Sequence, residues 1–180
     1  MKRVASVALA TVLIATQFVP GGMKNVFASE DGKEKVVLGD ETFSGDLWGD
    51  GIWTITPSSW DNTEFKYFTY AEDTWMVPDE NCTETGFKFW MGEGGDFYLS
   101  QTLESLEAGT YELDSIVMGS GATVKLEISG KTEEGEYSDA SKAGTSLEGY
   151  NTWQKVNHTF SVEEDLTDVT ISFYAEVSAD

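Results

Sequence analysis

From Val36 onward, hydrophobic and polar residues alternate with a period of two in run after run, most densely between Phe87 and Gly130. Phe97, Leu99, Gln101 and Leu103 fall on one side of a run whose other side carries Tyr98, Ser100 and Thr102. Successive strand side chains point to opposite faces, so this is the pattern of a half-buried strand. After Glu107-Ala108-Gly109 the alternation resumes, with Tyr111, Leu113, Ser115 and Val117 opposite Glu112, Asp114, Ile116 and Met118. Gly119-Ser120-Gly121 predicts a turn, and Val124, Leu126 and Ile128 against Thr123, Lys125 and Glu127 form another strand that Gly130 stops. Sequential strands joined by such short breaks predict an antiparallel meander.

The flanks carry the same period. Val36 to Phe43 reads as a first strand broken at Gly39, with Asp40 and Glu41 side by side in the break. Ile52 to Thr56, Phe65 to Tyr70 and Phe87 to Met91 are further strands, and the polar stretch from Ala71 to Gly86 is a long loop carrying Trp75. Thr132 to Asn151 is acidic and rich in Gly and Ser, which predicts a loop or short hairpin around Tyr137. Trp153 to Val162 and Thr167 to Val177 alternate cleanly and close the pattern. No long run shows helical spacing. The fold class is therefore all-β, an antiparallel β-sandwich of jelly-roll type.

The first residues break from this pattern. Lys2 and Arg3 precede an apolar run from Val4 to Val19, and Val26-Phe27-Ala28 supplies the small residues of a cleavage site. Residues 1–28 are expected to be a secretion signal, 29–35 a flexible leader and 36–180 the sandwich. The mature chain is expected to be secreted and free of the membrane. The full chain's formal net charge of −21 repels phosphate backbones and anionic headgroups, so nucleic acid is not an expected partner. Surface solubility accounts for most of that charge. Cys82 is the single cysteine, so no disulfide forms within the chain despite export.

Catalytic groups are scarce. His158 is the one histidine and falls in register with Val156 and Phe160, as a core or edge residue would, and no nucleophile elbow accompanies it. Carboxylates are abundant enough that a glycosidase pair can arise by counting alone. The aromatic residues, 13% of the chain, suit a different task. A sugar ring presents C–H groups that stack on an indole or phenol, while nearby Asp, Asn, Gln and Glu bind its hydroxyls. Trp53 and Trp153 are read as core, because each lies in a strand. Trp60 and Trp75 lie in polar loops, and Trp90 and Tyr98 sit on the polar sides of their strands. These four are the candidate carbohydrate-facing residues. Asp40 and Glu41 are the candidate metal ligands, since paired oxygens in a strand break suit a calcium ion.

The stretch YLSQTLESLEAGTYELDSIVMG, followed by YNTWQKVNHTFSV and TDVTISFYAEVSAD, resembles carbohydrate-binding modules of the jelly-roll kind, in particular those attached to secreted bacterial endo-β-1,4-galactanases. The likeness extends over Val36 to Asp180 and is carried by Ser100-Gln101-Thr102, Gly109-Thr110-Tyr111 and Trp153. It implies a calcium-stabilised sandwich that binds plant cell-wall polysaccharide, β-1,4-galactan first, without cleaving it, and that is covalently followed by a catalytic domain. Such modules continue past the strand matching Thr167 to Val177 into one more strand, opening with paired Asp, that completes the calcium site. This chain stops at Asp180, so the resemblance implies either a fragment of a longer enzyme or a module without its closing strand. Two other functions remain open, a glycoside hydrolase or lyase on the same fold and a cell-surface adhesion domain.

Overall fold

A computed structural model describes residues 6–10, 15–17, 27–28, 34–36, 38–39, 43–49, 51–73, 76–78, 82, 84–141 and 144–179. In chain order the strands are β1 (Ser6–Ala10), β2 (Ala15–Gln17), β3 (Phe27–Ala28), β4 (Glu34–Val36), β5 (Thr54–Pro57), β6 (Thr63–Thr69), β7 (Thr85–Met91), β8 (Gly95–Leu106), β9 (Gly109–Lys131), β10 (Glu136–Ala140), β11 (Thr145–Val162) and β12 (Leu166–Val177). Every pairing is antiparallel. The all-β expectation holds.

β9 explains the architecture. Gly119-Ser120-Gly121 does not end a strand: Gly121 takes φ 71°, a conformation that suits glycine, and the chain bends there while remaining one strand of 23 residues. On one side of the bend, residues 109–119 pair with β11 and β1; on the other, residues 122–131 pair with β12 and β10. β11 also passes through both regions, with register shifts between Ser146 and Glu148 and between Gly149 and Gln154. Two layers result. The front layer is β5, β8, β12, the second part of β9 and β10; the back layer is β6, β7, β1, the first part of β9 and the end of β11. A short separate sheet holds β2, β4 and β3.

The expected meander is corrected by this topology. β8 pairs with β5 and β12, and β9 lies beyond β12, so β8 and β9, adjacent in sequence, are not adjacent in the sheet. Alternation reports which face a strand buries and is silent on its neighbours. The faces themselves match: Phe97, Leu99, Leu113, Val117, Leu126, Ile171 and Phe173 are buried between the layers. Phe87, Phe89 and Phe97 pack at the centre, with Phe89 and Phe97 edge to face at 4.4 Å.

Two other expectations change and one is narrowed. Of the strand expected from Val36 to Phe43, the described residues 38, 39 and 43 are not in a strand, and Phe43 is buried with φ 54° against Trp53 and Tyr67, each 5.4 Å away. Of the loop or short hairpin expected from Thr132 to Asn151, the hairpin is what forms around Tyr137, where β10 turns back onto β9, and β11 already begins at Thr145. Trp153 is only partly buried and belongs to a satellite cluster with Phe68, Met76 and Met118, its indole N–H donating to the Val77 carbonyl at 2.7 Å. Trp53 and His158 are buried as expected. Ser6–Ala10, in the expected secretion signal, lies between β7 and β9, with Val7 opposite Phe89 and Gly119.

Candidate functional site

The three candidate aromatic residues that are described, Trp60, Trp90 and Tyr98, do not converge. Trp60 is 57% exposed in the β5–β6 connection, Tyr98 stands on the outer face of the front layer, and half-buried Trp90 stands on the outer face of the back layer. The core separates the last two. Trp90 also has a buried indole N–H with no hydrogen-bond partner among the described residues, and Lys88, two residues earlier on the same face, is paired with Asp73. Trp75, Asp40 and Glu41 lie outside the described residues. Among the described residues no group of three His, Cys, Asp or Glu side chains is placed to hold a metal ion.

Trp60 gains a neighbour that pattern reading left unassigned. Trp48, 63% exposed, places its ring 6.1 Å from that of Trp60 at an interplanar angle of 52°. Local hydrogen bonds fix both. The Trp48 N–H donates to Asp46 Oδ1 at 3.1 Å and Gly49 N–H to the Asp46 carbonyl at 3.2 Å, a turn that presents the indole outward. Thr63 Oγ1 donates to the Trp60 carbonyl at 3.0 Å, Asp61 N–H to Ser59 Oγ at 3.0 Å, and the Trp60 ring meets buried Phe65 edge-on at 5.7 Å. Two large apolar rings are thus held in solvent by turns whose polar side chains, Asp46, Ser59 and Asp61, lie beside them. The available signal was that Trp48, like Trp60, sits among Gly, Asp and Ser residues instead of in a strand.

The outer face of the front layer is a second, different surface. Strand register sets it out in rows: Asp96 and Glu176; Thr56, Tyr98, Tyr174 and Lys125; Thr54, Ser100, Ser172 and Glu127; Thr102, Thr170 and Ser129. Hydroxyls and charges fill it, with one ring pair, Tyr98 and Tyr174, at 4.9 Å. The Lys125 amine lies 5.9 Å from the Tyr174 ring, a cation–π contact. Beside Tyr98 a cleft of about 410 Å³ runs past Ser172, Glu127 and Ser129 to the β10 residues Ser138, Asp139 and Ala140. Burial, then Glu127 and Asp96, raises the Tyr98 phenol above its ordinary pKa; burial, then Asp96 and Glu176, does the same to Tyr174.

No family model and no curated protein matches the sequence. Among solved structures the chain is similar to TmCBM61, whose structure is a complex with β-1,4-galactotriose: 21% identity over 72% of this chain and 80% of that one, with a TM-score of 0.49. It is also similar to the enzymatically active domain of bacteriophage CBA120 tailspike protein 4, at 15% identity over 71% of this chain but only 17% of that one, with a TM-score of 0.51. At that identity the shared property is the β-fold.

Proposed function

We propose that this chain is a secreted, non-catalytic polysaccharide-binding module whose principal contact is the Trp48–Trp60 platform. The observation that carries the reading is the fixed exposure of that ring pair. Burying a large side chain is worth about 1.5–3 kcal/mol, so folding alone favours hiding such rings, and these turns hold them out. Tilted indoles flanked by carboxylates and hydroxyls match the alternating C–H faces and hydroxyl edges of a glycan. The acidic surface favours a neutral polymer over a polyanion. The sequence resemblance makes β-1,4-galactan the first ligand to test and an attached galactanase the natural beneficiary, since tethering raises local substrate concentration.

Affinity electrophoresis of the full chain through gels containing galactan, arabinan, xylan or mannan tests this directly. Galactan is expected to retard the protein, with Trp48→Ala and Trp60→Ala each reducing the retardation and no reducing ends released. Unretarded migration in all four gels overturns the proposal, and reducing-end release above a heat-denatured control replaces it with an enzyme.

A further inference from the structure

The outer face of the front layer has features that the Trp48–Trp60 platform does not use. Along its second row the two tyrosine rings lie side by side across β8 and β12, and the cleft beside Tyr98 falls within the range of small-ligand pockets, about 300–1,000 Å³. Its donors and acceptors are of two kinds. The Ser100 and Ser172 hydroxyls are 3.0 Å apart and engage each other at the centre of the sheet, whereas Glu127, on β9, lines the open cleft as an acceptor. Tyr98 is partly exposed and half of a stacking platform, so one sugar ring can lie on it with hydroxyls directed toward Glu127.

Charge selects among sugars. Asp96 and Glu176 lie opposite each other one row away from the tyrosines on one side, and Glu127 lies one row away on the other. Burial first, and then these carboxylates, hold both phenols above their ordinary pKa. The nearby cation, Lys125, is engaged with the Tyr174 ring. A uronate, sulfate or phosphate would enter against four carboxylates, Asp96, Glu176, Glu127 and the cleft's Asp139.

We propose that the Tyr98–Tyr174 face and its cleft form a second glycan contact, separate from the Trp48–Trp60 platform, that takes a neutral sugar residue and discriminates against anionic ones. The proposal rests on the reading of the chain as a glycan-binding module and adds to it a second contact and a charge class. Two contacts on one small domain let a single polymer, or two neighbouring ones, be held by avidity.

Calorimetric titration of the full chain with β-1,4-galactotetraose, and with an oligogalacturonate of equal length, separates the possibilities. Two binding events are expected with the neutral probe. Tyr98→Ala should remove one of them, weakening it about tenfold or more, and Glu127→Gln, a change of charge without volume, should weaken the same event while leaving the melting temperature unchanged. Trp48→Ala should remove the other. The oligogalacturonate should bind wild type at least about tenfold more weakly than galactotetraose and should gain affinity in Glu127→Gln. A single event abolished by Trp48→Ala and unchanged by Tyr98→Ala and Glu127→Gln overturns the second contact while leaving the proposed function standing. Equal affinity for the uronate overturns the charge class. Absence of any binding by wild type overturns the proposed function, and this inference with it.

Discussion

Gln101 holds Gly39 by both of its backbone groups: the Gly39 N–H donates to Gln101 Oε1 at 2.7 Å, and Gln101 Nε2 donates to the Gly39 carbonyl at 2.8 Å. The amide is 6% exposed and projects from the inward face of β8, so it does for Gly39 what a neighbouring strand would otherwise do. Replacing Gln101 by Leu leaves two backbone groups without partners in a partly buried place. A loss of about 2–4 kcal/mol in urea denaturation is expected, and a loss below about 0.5 kcal/mol would show that water replaces the amide at no cost.

Tryptophans should divide by environment. Trp53 is buried against Phe43, so Trp53→Ala should cost about 3–5 kcal/mol of stability. Trp48→Ala and Trp60→Ala should change stability by less than about 1 kcal/mol, while weakening polysaccharide binding by about 1–3 kcal/mol. Parallel melts and affinity gels measure both, and the division fails if Trp60→Ala unfolds the protein as Trp53→Ala does.

Ser115 lies on the inward face of β9, fully buried, with no hydrogen-bond partner for its hydroxyl among the described residues. Removing an unsatisfied buried hydroxyl removes a desolvation cost. Ser115→Ala is expected to hold or raise the midpoint of denaturation, by up to about 1 kcal/mol, and a clear drop would reveal a partner for that oxygen.

Alkaline pH should destabilise the front layer. Tyr98 and Tyr174 have folded-state pKa values raised above 10.0, so the folded state keeps phenolic protons that the unfolded chain begins to release near pH 10. The stability contributed by these protons is fully present below pH 10 and is lost as pH rises through the folded values. Ultraviolet titration of wild type against Tyr98→Phe and Tyr174→Phe should assign the late-ionising phenols. Ionisation of both at or below pH 10 would contradict the burial and the neighbouring carboxylates that raise them.

Legibility in the sequence followed the physics of each signal. The buried faces of β8, β9, β11 and β12 were readable because burial on one side imposes period two. Strand order was not, because the bend at Gly119–Gly121 looks locally like a reverse turn and only long-range pairing shows that β9 continues. Residues 38–43 resembled a strand because Leu38 and Phe43 are apolar and buried, yet Gln101 rather than a ladder satisfies Gly39. Of the candidate site, Trp60 and Tyr98 were visible as aromatics in polar settings. Trp48 escaped because its turn-rich neighbourhood marked a loop without saying that the ring would stand beside Trp60. Trp90 shares its strand's polar side, but the back layer carries it away from Tyr98.

The passage of β9 through both layers has a mechanical consequence. A sandwich whose sheets touch only through side chains can, under strain, slide or part along its core. Here a single covalent backbone of 23 residues is stitched by hydrogen bonds into β11 on one side of its bend and β12 on the other. Heat or tension applied to either sheet reaches the other through that backbone, so the two sheets are expected to melt together as one cooperative unit.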